Sequence, residues 1–162
     1  MELTHEQVRA MADGWWTPEL IRAFRLTLGL TQKELAARLF FSRRETVAEL
    51  EAGKYQPNLQ TIGLLSMLFK ENQLSIGLEM NWLSGEKPMG NFLDAARERL
   101  PVVSGTSSHS PPSQMLTAGL TLFMPSYDEA NLRQEVSDVA EKAGFEVLKI
   151  DIKEWRQLIR GY

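Results

Sequence analysis

Residues 30–53 read LTQKELAARLFFSRRETVAELEAG and contain two short helix patterns in succession. Thr31 followed by Glu34 forms a capping box, in which the hydroxyl accepts from the backbone N–H three residues on and the carboxylate accepts in return. Ser42 and Glu45 repeat this spacing. The stretch therefore predicts two helices joined by a tight turn.

Helix-start signals on both sides extend this pattern into a helical domain. A short helix is predicted after Thr4, and a longer one after Thr17, which is followed by proline at a position whose N–H needs no partner. Asn58 is expected to cap the next helix, and residues 76–83 to form the last. We therefore expect a mainly α fold, with a five-helix domain and the short N-terminal helix over residues 1–86.

Residues 87–116 form a second segment, after which the hydrophobic periodicity changes. The segment contains one more helix, NFLDAARERL, followed by PVVSGTSSHSPPSQ, whose Ser, Pro and Gly content predicts a flexible linker. Residues 117–162 then contain a predicted strand, AGLTLFM, and a helix over 126–144. A second predicted strand, FEVLKI, and a last helix that begins at Asp151 follow. They predict a small β-α-β-α unit with two parallel strands. Because so small a unit has a poor core, we expect it to pair with its copy or to pack on the first domain.

The composition is that of a globular protein, with 43% hydrophobic and 24% charged residues. The chain has no cysteine, which excludes disulfides and thiolate metal sites, and its two histidines, His5 and His109, lie far apart in sequence. No apolar run is long enough for a membrane span, and the acidic N-terminus is not a secretory signal. We therefore expect no metal, no cofactor and no enzymatic activity, and a cytoplasmic location is the default.

The net charge of −3 hides a local excess of positive charge. Residues 15–70 carry eight Lys or Arg and five Asp or Glu, whereas residues 1–14, 71–114 and 115–162 each have an excess of two negative charges. Nucleic-acid binders concentrate cations on the surface that meets the phosphates. The sequence thus indicates residues 15–70 as the part that would bind a polyanion.

Residues 18–86 resemble the Cro/phage-repressor (Xre) type of helix-turn-helix domain. The resemblance is carried by LTQKELAARL, SRRETVAELEAG, PNLQTIGLLSML and NWLSGE, in that order. The family shows a Thr-Gln pair opening helix 2, a buried Ala-x-x-Leu, a Thr-Val or Thr-Ile pair in helix 3, and then Glu-x-Gly. The resemblance implies a transcriptional regulator, with a repressor favoured, that binds a pseudo-palindromic double-stranded DNA operator as a homodimer through helix 3 in the major groove.

Two features depart from the family pattern. The family places glycine in the turn after helix 2, where the backbone needs a positive φ, but this chain has Phe40 and Phe41 and a turn about one residue longer. The outward positions of helix 3 hold Glu45 and Glu49, where relatives carry base-reading side chains. Both features bear on whether Arg44 reaches a base.

The candidate DNA contacts are Gln32, Arg43, Arg44, Glu45, Glu49, Lys54, Tyr55, Gln56 and Asn58. The resemblance implies that Gln32 contacts a phosphate and braces helix 3. Arg44 is the candidate for guanine and Arg43 for a phosphate, against the alternative of ordinary surface arginines. Lys54, Tyr55 and Gln56 are expected to contact the DNA backbone, and Asn58 has the alternative role of capping the next helix.

Glu45 and Glu49 have competing interpretations. Glu45 either accepts from the backbone N–H of Ser42 in a capping box, which we favour, or accepts from cytosine N4. Glu49 reads cytosine, is held by Arg44 or Lys54, or marks a helix that does not enter DNA.

Two further functions remain open. One is a protein-interaction module with the same fold, in which an acidic helix 3 docks on a basic partner. The other is an antitoxin that represses its operon and neutralises a toxin through residues 117–162.

Overall fold

The computed structural model describes residues 3–83, 90–109 and 115–154. The chain divides into two compact units, Met1–Glu71 and Asn72–Tyr162, whereas the sequence placed the first boundary at residue 86. The difference arises because residues 73–82 belong to the sheet of the second unit.

The described residues of the first unit form five helices: α1 His5–Ala12, α2 Pro18–Thr27, α3 Gln32–Arg38, α4 Glu45–Glu51 and α5 Leu59–Glu71. Helices 2 and 3 of the family pattern are α3 and α4. Four predicted caps are confirmed. Thr4, Thr17 and Thr31 each accept a hydrogen bond from the backbone N–H three residues on, and Asn58 accepts from the N–H of Thr61. These bonds fix the helix starts, because first-turn N–H groups have no partner within the helix.

The helices of the first unit enclose an aromatic core. Trp16, Phe24 and Phe69 are buried, with ring centroids 5.1 to 6.4 Å apart, and Trp16 Nε1 donates to the Ser66 hydroxyl at 3.2 Å. The buried side chains of α3 and α4, with the residue after α3, are Leu35, Ala36, Leu39, Val47 and Leu50. The apolar side of α4 therefore faces the interior and its opposite side faces solvent.

The second unit contains β1 Gln73–Trp82, α6 Gly90–Arg99, β2 Val102–His109, β3 Met115–Phe123, α7 Glu129–Lys142 and β4 Phe145–Glu154. The strand order is β2-β3-β1-β4, and every neighbouring pair is antiparallel. This β-α-β-β-α-β order is the ferredoxin-like arrangement. β3 and β4 run in the same direction, as the crossover rule predicts, but β1 lies between them.

The predicted helix over residues 76–83 is wrong, because this stretch lies in β1 as far as Trp82. The fully buried side chains of β1 recur at every second residue from Leu74: they are Leu74, Ile76, Leu78 and Met80. This period of two suits a strand that is paired on both sides, and β1 lies between β3 and β4.

Two other predictions for this unit are also wrong. Residues 102–109, expected within the flexible linker, form β2, and the hydroxyl oxygens of Ser108 and Thr117 lie 2.6 Å apart across the β2-β3 pair. Asp151, expected to begin a helix, lies inside β4. The rest of that predicted helix, from residue 155, lies outside the described residues.

The other two helices of this unit are confirmed with small shifts of their ends. NFLDAARERL forms α6, and the helix predicted over 126–144 is α7, whose start is capped by the Asp128 carboxylate rather than by Ser126. Both helices contribute buried side chains to one core with the sheet, among them Phe92, Ala96, Leu132 and Val136. The core that residues 117–162 were expected to lack on their own is completed by β1, α6 and β2 of the same chain.

Candidate nucleic-acid interface

The turn between α3 and α4 contains a residue in the left-handed conformation. Phe40 has φ +56°, its N–H donates to the Ala37 carbonyl at 3.2 Å, and the N–H of Phe41 donates to the Ala36 carbonyl at 2.8 Å. This pair of bonds is the Schellman motif, whose left-handed position glycine usually occupies. The family's need for a positive φ is thus met here by a phenylalanine, which is 84% exposed.

A buried ionic network joins α4 to the two preceding helices. The Arg25 Nε and Nη2 donate to the two carboxylate oxygens of Glu51 at 2.6 and 3.0 Å, and the Gln32 amide donates to Glu51 Oε2 at 3.0 Å. The Arg25 and Glu51 side chains are 10% and 5% exposed, and a third bond runs from Arg25 Nη1 to the Leu30 carbonyl. The network fixes the end of α4 against α2 and α3.

The hydrogen bonds keep Glu51 ionised despite its burial. Burial alone would raise the pKa of its carboxyl, but the bonds from Arg25 and Gln32 and the positive charge of Arg25 bring the pKa below its ordinary value. The bracing role that the resemblance implied for Gln32 is therefore present in the structure, through Glu51.

The predicted capping box of Ser42 and Glu45 is absent. The helix begins at Glu45, after Arg44, and no side chain caps it. Glu45 is thus the first helical residue instead of the third, because the longer turn moves the helix start, and it cannot bond back to Ser42. Its carboxylate accepts from Arg44 Nε at 3.1 Å. The pKa of Glu45 is lowered by its own backbone N–H and by this bond.

The second outward carboxylate of α4 is also paired. Lys54 Nζ lies 3.4 Å from Glu49 Oε1, with the two side chains 62% and 34% exposed. Of the three interpretations of Glu49, the structure shows the pair with Lys54. Both acidic side chains of the outward face of α4 are therefore partly neutralised by a neighbouring cation of the same segment.

The loop after α4 presents polar and aromatic side chains to solvent. Tyr55 is 58% exposed and Gln56 is exposed as well, while Asn58 uses its carbonyl oxygen to cap α5. Gly53, at φ +71°, turns the chain out of α4, and a Cβ at this position would lie 3.5 Å from Pro18 Cγ. Lys54, Tyr55 and Gln56 thus follow directly on the exposed side of α4.

Two exposed arginines complete this surface. Arg38, at the end of α3, and Arg43, in the turn, are exposed, and within the described residues neither has a carboxylate at ion-pair distance. Sequence reasoning singled out Arg43 but neither Arg38 nor Arg25. Arg25 lies on α2, two helices before the Glu-x-Gly whose glutamate it binds, so no short-range pattern marks the pair.

Other kinds of site are not found in the described part of the chain. No three His, Cys, Asp or Glu side chains come together there as a metal site. Its helices are too short or too polar to cross a lipid bilayer.

The helix-turn-helix geometry agrees with comparisons to known proteins. A helix-turn-helix family model matches residues 21–72, which defines the class of this domain. A protein of Archaeoglobus fulgidus, named as an uncharacterized HTH-type transcriptional regulator, is 45% identical over 49 residues, which are 30% of this chain and 69% of that protein. The chain belongs to the helix-turn-helix family of the Cro/repressor type.

Proposed function

We propose that this protein is a DNA-binding transcriptional regulator, a repressor, that binds a pseudo-palindromic operator as a homodimer. The observation that carries the proposal is the Arg25–Glu51–Gln32 network, which holds α4 rigidly while the side chains at its N-terminal end stay exposed. A recognition helix needs this combination, because base contacts require a fixed helix and unburied side chains.

We assign base reading to Arg44 and positioning on the phosphates to Arg43. Arg44 stands at the start of α4, 68% exposed, and its bond to Glu45 is a solvent-exposed ion pair that competes weakly with a guanine. A bidentate contact from arginine to guanine O6 and N7 contributes about 1–3 kcal/mol of discrimination. Arg43, which forms no ion pair at contact distance among the described residues, binds a phosphate.

The two carboxylates of α4 read cytosine once their cations engage DNA. When Arg44 turns to guanine, Glu45 is free to accept from cytosine N4, and Glu49 is freed in the same way when Lys54 binds a phosphate. The internal pairs keep the outward face of α4 from repelling the phosphates during the approach. The same pairs therefore reconcile an acidic helix with a polyanionic ligand.

The remaining candidate residues contact the DNA backbone. Gln32 lies at the first position of α3, where the free N–H groups of a helix start favour a phosphate. Lys54, Tyr55, Gln56 and Asn58 follow α4 and donate to phosphates on the other side of the groove. These contacts fix the register of α4 without carrying sequence information.

We assign dimerisation, or the binding of a protein partner, to the second unit. One face of its sheet packs on α6 and α7, and the other presents short or charged side chains, including Ser75, Glu79, Thr117 and Lys149. Residues 117–162 contribute two of the four strands. A two-fold dimer would place the two copies of α4 about 34–36 Å apart, one turn of DNA.

A mobility-shift titration on the promoter region of the protein's own gene tests this proposal. At low salt we expect retardation by the full chain and a loss of about fivefold or more in affinity for Arg44→Ala. Met67→Gln, an exposed substitution on α5, is the matched control. No retardation of any DNA at low salt would overturn the proposal.

The alternative is a protein-interaction module or an antitoxin, and the two exposed carboxylates of α4 favour it. In this case α4, or the second unit, contacts a basic protein partner. The double substitution Glu45→Lys with Glu49→Lys discriminates between the functions. Loss of a partner in pull-down, with non-specific DNA binding gained, would support the alternative over sequence-specific recognition.

A further inference from the structure

The turn after α3 requires a positive φ at position 40, but it does not require a phenylalanine or an exposed aromatic ring there. The φ of Phe40, +56°, is one that L side chains rarely adopt, and for a bulky residue it is an outlier. Its ring is 84% exposed, so it adds little to the core. Glycine, as at φ +67° in Gly29 after α2, would form the same helix end without the strain.

The surroundings of Phe40 are cationic. From Arg38 to Arg44 the chain carries three arginines and no acidic residue, and all three arginines are exposed. A second copy of this surface would be repelled by like charge, whereas a polyanion would be attracted. An exposed aromatic ring among exposed arginines is therefore suited to nucleic acid.

We propose that Phe40 is a specificity-determining residue, whose ring packs on the 5-methyl group of a thymine in the major groove. The proposal rests on the proposed function, because it requires the start of α4 to lie in that groove. Among the base edges exposed there, the thymine methyl is the apolar one, and phenylalanine is one of the side chains that contact it.

The chain length between Phe40 and Arg44 limits where this thymine can lie. Four residues span at most about 14 Å when fully extended, which is roughly four base-pair steps at 3.4 Å each. The two Cα atoms therefore lie within about four base-pair steps of each other, and we expect the thymine close to the guanine that Arg44 reads. The ring is 84% exposed in this turn, so it is accessible to a base edge.

The test uses the full chain and double-stranded DNA selected by it from a random pool. Each thymine of the selected site is replaced in turn by uracil, which lacks only the methyl group, and affinities are measured for the wild type and for Phe40→Gly. We expect one uracil, near the guanine, to weaken the wild type about fourfold, the value of one buried methyl group. The same uracil should leave Phe40→Gly unaffected.

Folding is checked separately. Glycine is the preferred residue at this helix end, so the thermal midpoint of Phe40→Gly should be no lower than that of the wild type. Phe40→Asn, which also tolerates a positive φ, should behave in the same way. Met67→Gln is the control for removal of an exposed apolar side chain on another helix, and it should keep the wild-type response to every uracil.

The outcomes separate this inference from the function on which it rests. A selected site whose uracil penalties are the same for wild type and Phe40→Gly overturns the role of Phe40 and leaves the regulator intact. A uniform loss of affinity in Phe40→Gly, equal for thymine and uracil, also overturns it, because the contact would then be to the DNA backbone. If the wild type selects no sequence, and Arg44→Ala changes nothing, the proposed function itself fails.

Discussion

The helix-turn-helix unit contains two arginine–glutamate pairs of opposite character. Arg25 and Glu51 form a two-bond pair that is almost fully buried, whereas Arg44 and Glu45 form a single bond between side chains that are 68% and 61% exposed. Both involve a glutamate of the same short helix, α4. The buried pair holds the helix in place, and the exposed pair leaves its charges available to a ligand.

The two pairs differ in the free energy that it costs to exchange one partner for a competing ligand. A buried pair cannot exchange partners without leaving an unpaired charge buried in the protein, which costs several kcal/mol. An exposed pair is already half solvated, so its members exchange water, each other or DNA at little cost. The seven residues of α4 therefore supply the glutamate of one fixed ion pair and of one exchangeable ion pair.

Removal of the buried carboxylate should have the largest effect. We expect Glu51→Ala to lower the free energy of unfolding by about 3–5 kcal/mol, because it leaves the Arg25 charge buried without its partner. Urea denaturation measures the loss, and hydrogen exchange locates it in Met1–Glu71. Glu49→Ala on the same helix should cost under about 1 kcal/mol. Equal costs for the two variants would contradict the distinction between the pairs.

The buried pair should also make stability depend on pH in acid. The native pKa of Glu51 is lowered, so its contribution is fully present above the unfolded pKa of about 4.3 and is lost as the pH falls through the lower native pKa. Glu51→Gln should therefore be less stable than the wild type at pH 7, and the gap should narrow below about pH 4. A gap that stays constant down to pH 2 would show that Glu51 does not titrate differently on folding.

Substitutions of the turn arginines should change DNA binding and leave folding intact. We expect Arg44→Ala to lose about 1–3 kcal/mol of binding at one base pair, and Arg43→Ala to weaken all sequences alike and to reduce the salt slope by about 1. Fluorescence anisotropy at several salt concentrations distinguishes the two. If both variants alter only the salt slope, the α4 surface contacts phosphates and reads no base.

The exposed pair of Lys54 and Glu49 should have the smallest effect. Lys54→Met is expected to lower the free energy of unfolding by only about 0.2–1 kcal/mol, and less at high salt, where exposed charges are screened. Urea denaturation at 50 mM and at 1 M salt measures this. A larger loss in the free energy of unfolding, unchanged at 1 M salt, would show that this pair behaves like the buried pair of Arg25 and Glu51.

Most helix caps were predicted correctly, because each cap depends on residues only a few positions apart in the sequence. The caps at Thr4, Thr17, Thr31 and Asn58 are all present, since each bond joins neighbours in the sequence. The cap at Ser42 failed because the start of α4 depends on the length of the turn, which the packing of α3 and α4 decides. The bracing of α4 by Gln32 was implied by the resemblance, whereas Arg25 was missed.

Long-range pairing explains the other errors. β1 pairs on one side with β3, as far as Phe123, and on the other side with β4, as far as Glu154. No pattern within residues 76–83 reveals partners so distant in the sequence. β2 is rich in Ser and Gly and has weak strand propensity, so its pairing with β3 decides its structure. The predicted DNA contacts stay predictions, because the structure gives their exposure and partners and not their ligand.

The central position of β1 has a consequence for synthesis on the ribosome. Of the four described strands it is made first, and it begins two residues after α5 ends at Glu71. Its neighbour β4 ends at Glu154, 72 residues after Trp82. At ordinary rates of translation this is a wait of roughly 4 to 14 s. During this time the helix-turn-helix part already has all its residues, while β1 exposes the apolar side chains from Leu74 to Met80. The nascent chain thus carries an unpaired apolar strand directly after a helix-turn-helix part that can form first.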